Sequence, residues 1–314
     1  MMRERNLAPL FAASALLVMS LACTITPRIP EINISVPTIE VGEIEEVRES
    51  VPLPHSDACD VDVVFGAGKL EIEAGVSDKL VDGLFRYNVA HWGPEVTYEE
   101  GELTIKQGGD EQKWGVPSGS VRNQWELEFS PDIPLAIDVK AGAGDGRLDL
   151  THLRVSDLDV DLGAGNFVLR FDEPSPIPMD HLTVDSGAAK MEAVRLGNAS
   201  PEQLRLQGGV GDMRVDLTGA WTRSAEVTIR AGAGTLRLNL PSEVGVKVET
   251  RGGLTNVEAY GLRQMGGTYT NDAYGVSDVE LNINILTGVG NVRLLEEGAR
   301  APRFELPALV EQRQ

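Results

Sequence analysis

The sequence is poor in the residues that build most metal and thiol sites. Two cysteines and four histidines occur in 314 residues, which leaves little for the Cys/His sets of structural zinc or for haem ligation. Aromatic residues make up only 5%. Cationic residues are outnumbered, 28 Lys+Arg against 48 Asp+Glu, for a net charge of −20. Nucleic-acid backbones and anionic lipid headgroups both demand a basic surface, so neither is expected as a partner. Beyond residue 22 no apolar run approaches the roughly 20 residues of a membrane helix, and helical periodicity is nearly absent. No cofactor and no metal is expected. What the sequence has in quantity is glycine, 34 residues, and it recurs inside Val/Leu/Ile alternation rather than in low-complexity tracts.

The first 22 residues have the form of a secretory signal. Arg3 and Arg5 precede an apolar stretch from Leu7 to Ala22, too short for a comfortable membrane span. It ends Met19-Ser20-Leu21-Ala22-Cys23. This resembles the lipobox of bacterial lipoproteins, in which the cysteine is lipidated and the chain cut before it. Ala22 matches the small residue before the cut, while Ser20 stands where those proteins usually carry Leu. The resemblance implies a membrane anchor at Cys23 and an extracytoplasmic chain facing outside; the plain alternative is that Cys23 is lost with an ordinary signal peptide. Residues 23–50, with Pro27, Pro30 and Pro37, read as an extended tether. Cys59 then has no partner and reads as a buried small hydrophobe.

The remainder is organised by a repeat: alternating apolar residues, a small Gly-rich corner, alternating apolar residues again. One copy reads Leu158, Val160, Leu162, Gly163-Ala164-Gly165, Phe167, Leu169. Corners begin at Gly66, Gly142, Gly163, Gly187, Gly209, Gly232, Gly252 and Gly288, and the five steps from 142 to 252 are 21, 24, 22, 23 and 20 residues. Period-2 alternation gives strands with one buried face, glycine lets the corner turn tightly, and one copy cannot bury its apolar face alone. The expectation is an all-β, single-stranded β-solenoid (β-helix-like) over residues 51–295, with about eight coils and a period near 22 residues. A sandwich or barrel of hairpins is the competing architecture. In six copies the next inward apolar residue lies four places after the first glycine; Gly142 and Gly252 read as small corner insertions. Sequential stacking would set Gly232 and Gly234 between the corners at 209–211 and 252–253.

Two segments break the register. Residues 76–134 form a Trp-rich insertion with a hairpin at 96–105, and residues 259–276 form a smaller one. Residues 296–314 read as a flexible tail. The larger insertion holds Trp92, Trp114 and Trp125, three of the four tryptophans. They are the candidate binding surface, for an envelope protein or a glycan, because exposed Trp favours such contacts. The competing role is to cap the open end of the solenoid.

Several stretches resemble one family: Ile39-Glu40-Val41-Gly42, Val64-Phe65-Gly66-Ala67-Gly68, Phe85-Arg86-Tyr87-Asn88-Val89, Val121-Arg122-Asn123-Gln124-Trp125 and Asn198-Ala199-Ser200-Pro201. With the Gly corners they resemble the N-terminal toast-rack family of bacterial envelope proteins over roughly residues 38–295. That family is similar to the C-terminal part of cell-wall-active antibiotic response proteins and to adhesin-like β-solenoids. The resemblance implies a β-solenoid outside the cytoplasm and carries over no catalytic residues.

Tests for chemistry give little. Gly66-Ala67-Gly68-Lys69-Leu70 has a lysine but leads into a strand, so it is not a phosphate loop. Gly208-Gly209-Val210-Gly211-Asp212-Met213 lacks the aspartate of a calcium nonapeptide. Asp157, Asp159 and Asp161 share one outward face, with Asp138 set beside Asp159, and read as a solvated acidic surface. Glu192, Arg214 and Arg237 fall at matching places and read as an inter-coil salt-bridge row. The reading is a non-catalytic, lipid-anchored module for adhesion, scaffolding or cell-wall stress response. The alternative is a polysaccharide-active enzyme using charged residues on one outer face.

Overall fold

The computed structural model describes residues 38–75, 78–109, 116–117 and 119–299. Cys23, the expected signal and most of the tether, Trp114 and the chain from residue 300 lie outside the described residues. In chain order the strands are β1 Thr38–Ile39, β2 Glu45–Pro52, β3 Cys59–Ala74, β4 Lys79–Tyr87, β5 Pro94–Glu99, β6 Glu102–Gln107, β7 Val116–Pro117, β8 Asn123–Phe129, β9 Pro134–Asp149, β10 Arg154–Arg170, β11 His181–Val194, β12 Gln203–Asp216, β13 Ala225–Leu240, β14 Gly245–Tyr260, β15 Arg263–Met265, β16 Thr268–Thr270 and β17 Glu280–Glu296. Two single-turn 3-10 helices, Ala90–Trp92 and Leu196–Asn198, complete the described secondary structure. The protein is all-β, as its alternation demands.

Fifteen strands form one open sheet, ordered β15-β16-β14-β17-β13-β12-β11-β10-β9-β3-β8-β4-β2, with the β5–β6 hairpin joined to β3; β1 and β7 pair separately. The strands β3, β9 to β14 and β17 are 14 to 17 residues long and pair in parallel. Parallel neighbours normally need a long crossover, yet β9 ends at Asp149 and β10 begins at Arg154 beside Pro134, the first residue of β9. A straight 16-residue strand would span about 50 Å, and so short a link covers less than about 20 Å. Each long strand must therefore fold back at its glycine corner into two legs, with the core between them.

Inward side chains stack in rows across the legs. Val61, Ile137, Leu158, Leu182, Leu204, Val227, Ile283 and Val248 are successive partners on the first legs, and all are buried. The second legs supply Leu70, Phe167, Met191, Met213, Leu236 and Val292. Gly146 fills the β9 place in this second row, and the Phe167 ring lies where its Cβ would stand. The corner after Gly142 therefore has the common four-residue spacing and no insertion.

Stacking explains why the corners are glycine. Gly234 has φ of 142°, and a Cβ there would collide with the carbonyl oxygen of Gly211 in the next corner. An L side chain meets both a disfavoured backbone and a backbone atom. Ala189 and Thr255 take this place in β11 and β14, where no positive φ occurs.

The order of the stack departs from the order of the sequence. The corner beside Gly232 and Gly234 is Gly288-Val289-Gly290 of β17, and Gly252-Gly253 of β14 lies beyond it. The chain leaves one place vacant after β13, forms β14 and the β15–β16 hairpin, then returns to fill the gap. Against β17 the β14 register is unbroken, with Val248 beside Ile283, Leu254 beside Val289 and Val257 beside Val292, so the corner at Gly252-Gly253 carries no insertion and Gly253 takes the place of Gly288.

The segment 76–134 supplies β4, β5, β6 and β8, which join the same sheet rather than interrupting it, and β7, which pairs with β1. β6 pairs with the first leg of β3 and β8 with its second leg, so two short strands share the place of one rung. β4 and β2 extend this side antiparallel from β8. Residues 45–50, read from the sequence as tether, are thus part of strand β2.

Candidate functional site

The long strands expose two lattices of outward side chains, one per leg. The first leg carries the acidic one. Asp62, Asp138 and Asp159 are register partners on β3, β9 and β10, and Asp157 pairs with His181 of β11. Together they line an open cleft of about 470 Å³ that gathers six carboxylates, Glu102 and Asp60 among them, around one lysine, Lys140. Lys140 Nζ lies 2.8 Å from Asp138 Oδ2 and 3.9 Å from Asp62 Oδ1. His181 Nδ1 lies 3.1 Å from Asp157 Oδ1.

The electrostatics follow from this crowding. Partial burial, then Asp138, Asp161 and Asp185, push the Asp159 carboxyl above the usual carboxylate range. The hydrogen bond to Asp138 raises Lys140 above the ordinary lysine value. One cation among six acids leaves a surface that attracts cationic groups and hydroxyl donors. Among the described residues no three His, Cys, Asp or Glu side chains converge on a metal position.

The second leg carries the other lattice. Glu192, Arg214 and Arg237 are direct register partners and line a groove of about 190 Å³ with Asp216. The expected salt-bridge row is not made there: the described ion pairs include neither Arg214 nor Arg237. Asp216 instead accepts hydrogen bonds from the Thr218 amide and hydroxyl. The pair that does form on this row is Arg293 with Glu258, at 2.8 Å, one place beyond the corner order expected from sequence.

The tryptophan surface requires correction. Trp125, on β8, is 0% exposed. Its ring stands edge-on between Phe65 and Phe85, with centroids 5.2 and 5.1 Å away, and its Nε1 donates to Asn123 Oδ1. It pairs with Leu70 in the second-leg core row, so it fills the end of the core and offers no exposed ring as a binding surface. Trp92 is partly exposed on the 3-10 turn, edge-on to His91. Trp114 lies outside the described residues. The fourth, Trp221, is buried and donates to the Leu217 carbonyl. Cys59 is buried, and that burial, reinforced by the Asp60 charge, pushes its thiol up to about 11. The thiol form is therefore favoured at neutral pH.

Four asparagines have a structural role that the sequence reading did not assign. Asn198 donates to the Phe171 carbonyl and accepts from the Ala220 amide, tying three successive return loops together. Asn123 reaches Ala67 O at the β3 corner, Asn88 clamps Ser120 and Arg122, and Asn271 clamps Val244 and Val246. Asn88, Asn123 and Asn198 sit inside the family-like stretches, so those signatures mark buried staples of the fold.

No curated protein matches the chain. A crystal structure of a candidate cell adhesion protein from Clostridium sporogenes is 25% identical, covering 81% of this chain and all of that one, with a TM-score of 0.45. A candidate adhesin from Bacteroides fragilis is 11% identical over 82% of this chain and all of that one, TM-score 0.33. A candidate lipid binding protein from Parabacteroides distasonis is 11% identical over the same shares, TM-score 0.38. Among the described residues no helix is long and apolar enough to cross a membrane. The model of the N-terminal domain of toast_rack, DUF2154, matches residues 40–176 and 174–239; this chain, with its stacked Gly corners and asparagine staples, belongs to that family.

Proposed function

We propose that the protein is a non-catalytic binding module of the bacterial envelope, exported by residues 1–22 and held at the outer side of the membrane by a lipid on Cys23. The observation that carries the binding role is the acidic cleft on the first legs of β3, β9, β10 and β11. Strands hydrogen-bonded on both sides hold its carboxylates, so the surface is rigid before any partner arrives, which lowers the ordering cost of binding. Its sign suits a partner rich in amines or hydroxyls, such as a cationic segment of an envelope protein or an amino-sugar polymer. Adhesion is the use that fits a rigid, extended, charged face on an anchored chain.

The test is retention of the full chain on immobilised wall polymers and on whole bacterial cells. Asp138→Asn together with Asp159→Asn should reduce retention, and raised salt should reduce wild-type retention. Retention unchanged by both treatments would overturn the assignment of the cleft. A glycan-cleaving reading has one observation in its favour, the Glu192–Arg214–Arg237 groove with Asp216. Release of reducing ends from wall or plant polysaccharide would establish that reading instead. The anchor is tested separately: the wild type should partition into detergent and Cys23→Ser should not.

A further inference from the structure

Among the described residues one end of the stack presents a free strand edge, and its chemistry fits a second copy of this chain. β14 pairs with β17 along its whole length on one side, but on the other side only Val246–Thr250 are covered among the described residues, by β16 and its flanking Gly267 and Asn271. Leu254 to Tyr260, the second leg, has no strand partner on that side among the described residues. The core is correspondingly open there: Val257 and Ala259, which continue the buried rows, are only half-buried. Large exposed apolar side chains collect at the same end, with Leu254 80%, Val289 58% and Leu286 52% exposed. Leu254 and Val289 are direct register partners. Unpaired backbone beside exposed apolar surface is the standard template for strand addition.

We propose that the β14 edge from Leu254 to Tyr260 pairs antiparallel with the same edge of a second copy, making a two-fold dimer with a sheet continuous across both chains. The segment reads Leu-Thr-Asn-Val-Glu-Ala-Tyr, and an isologous contact must be complementary to itself. Centred on Val257, the two-fold sets Val257 against Val257 and Thr255 against Ala259 on the core side. On the outer side it sets Asn256 against Glu258 and Leu254 against Tyr260. No like charges are opposed. Glu258, the single charge in the segment, is neutralised by Arg293 of its own chain at 2.8 Å, and the Asn256 amide can donate to it. Outermost strand β2, at the opposite end, has no such symmetry: Glu45, Glu46 and Glu49 crowd it, and it ends at Pro52, features that block edge pairing.

The experiment is the mass of the full chain in solution, with Cys23→Ser to prevent acylation, by light scattering and sedimentation from below 1 μM to about 100 μM, a range that brackets a weak specific interface. The wild type should be a dimer at the upper end. Asn256→Glu, which opposes two carboxylates across the two-fold, should weaken association about tenfold or more. Asn256→Lys, which offers Glu258 a cation, should hold or tighten it. Residue 256 is exposed, so both variants should keep the wild-type fold, checked by circular dichroism. A chain monomeric throughout, or a dimer indifferent to Asn256→Glu, would overturn the proposal. So would a dimer that appears only after residues 300–314 are deleted, because the edge would then be filled by its own chain.

Discussion

The two ends of the stack are finished by different means. Beyond β3 the core is closed by two short strands sharing one rung, by the Trp125 ring between Phe65 and Phe85, and by a further antiparallel layer of β4 and β2. Arg86 stitches that layer, 2.8 Å from Glu46 and 2.6 Å from Glu126. Beyond β14, among the described residues, only a three-residue strand and its flanks cover part of one leg, and the core rows end in half-buried Val257 and Ala259. A stack of parallel rungs is indifferent to where it stops, so stopping has to be built. The segment 76–134 builds it at one end, and among the described residues nothing comparable stands at the other.

The largest contrast should come from the corners. Gly144→Ala near the closed end forces a Cβ into the Gly68 carbonyl at a positive φ. It should cost about 3–5 kcal/mol or prevent folding. In Gly253→Ala, at the open end, the new Cβ meets one backbone oxygen, Gly288 O, at 3.0 Å, and the cost should stay within about 1 kcal/mol. Denaturant midpoints of the two variants measure this directly. Similar costs would remove the distinction between an inner and an outermost corner.

Next in size is the core itself. Trp125→Ala leaves a void between two rings and should cost about 3–5 kcal/mol. Val257→Ala, on a half-buried side chain of the last rung, should cost about 1 kcal/mol or less. Calorimetry of both variants checks the ratio. An equal loss would mean that the β14 end is as well packed as the β3 end.

The smallest effect concerns the cleft, which lies on the rungs next to the closed end. A carboxyl whose folded-state value is raised binds its proton more tightly folded than unfolded, so folding gains stability as pH falls into that window and loses it above. Asp159 is such a group, through burial and then its acidic neighbours. Asp159→Asn should therefore raise the unfolding midpoint slightly at pH 7 and blunt the gain that the wild type shows on mild acidification. A lower midpoint at pH 7 would contradict the crowding described for the cleft.

Much of this architecture could be read from residue order. Alternation at Leu158, Val160 and Leu162 followed by Gly163-Ala164-Gly165 set the inward rows, and those residues are buried where alternation put them. What could not be read follows from two physical facts. Rung order is set by pairing between segments distant in sequence, so the placing of β17 between β13 and β14 was invisible locally. Burial of an aromatic depends on its rung: Trp125 looks like any exposed Trp until Leu70 is known to lie beside it. Asp138 beside Asp159 was legible because both lie in well-registered copies. Glu102 and Asp60 joined that cleft only once β6 was seen to pair with β3.

Residue-resolved amide exchange tests the asymmetry of the ends most directly. With the full chain kept dilute enough to be monomeric, amides of Leu254 to Tyr260 that point away from β17 should exchange by local opening at the low-stability end of the range. Amides of Asn123 to Phe129, held between β3 and β4, should exchange only with global unfolding. Equal protection of the two segments in the monomer would contradict the account of one closed and one open end.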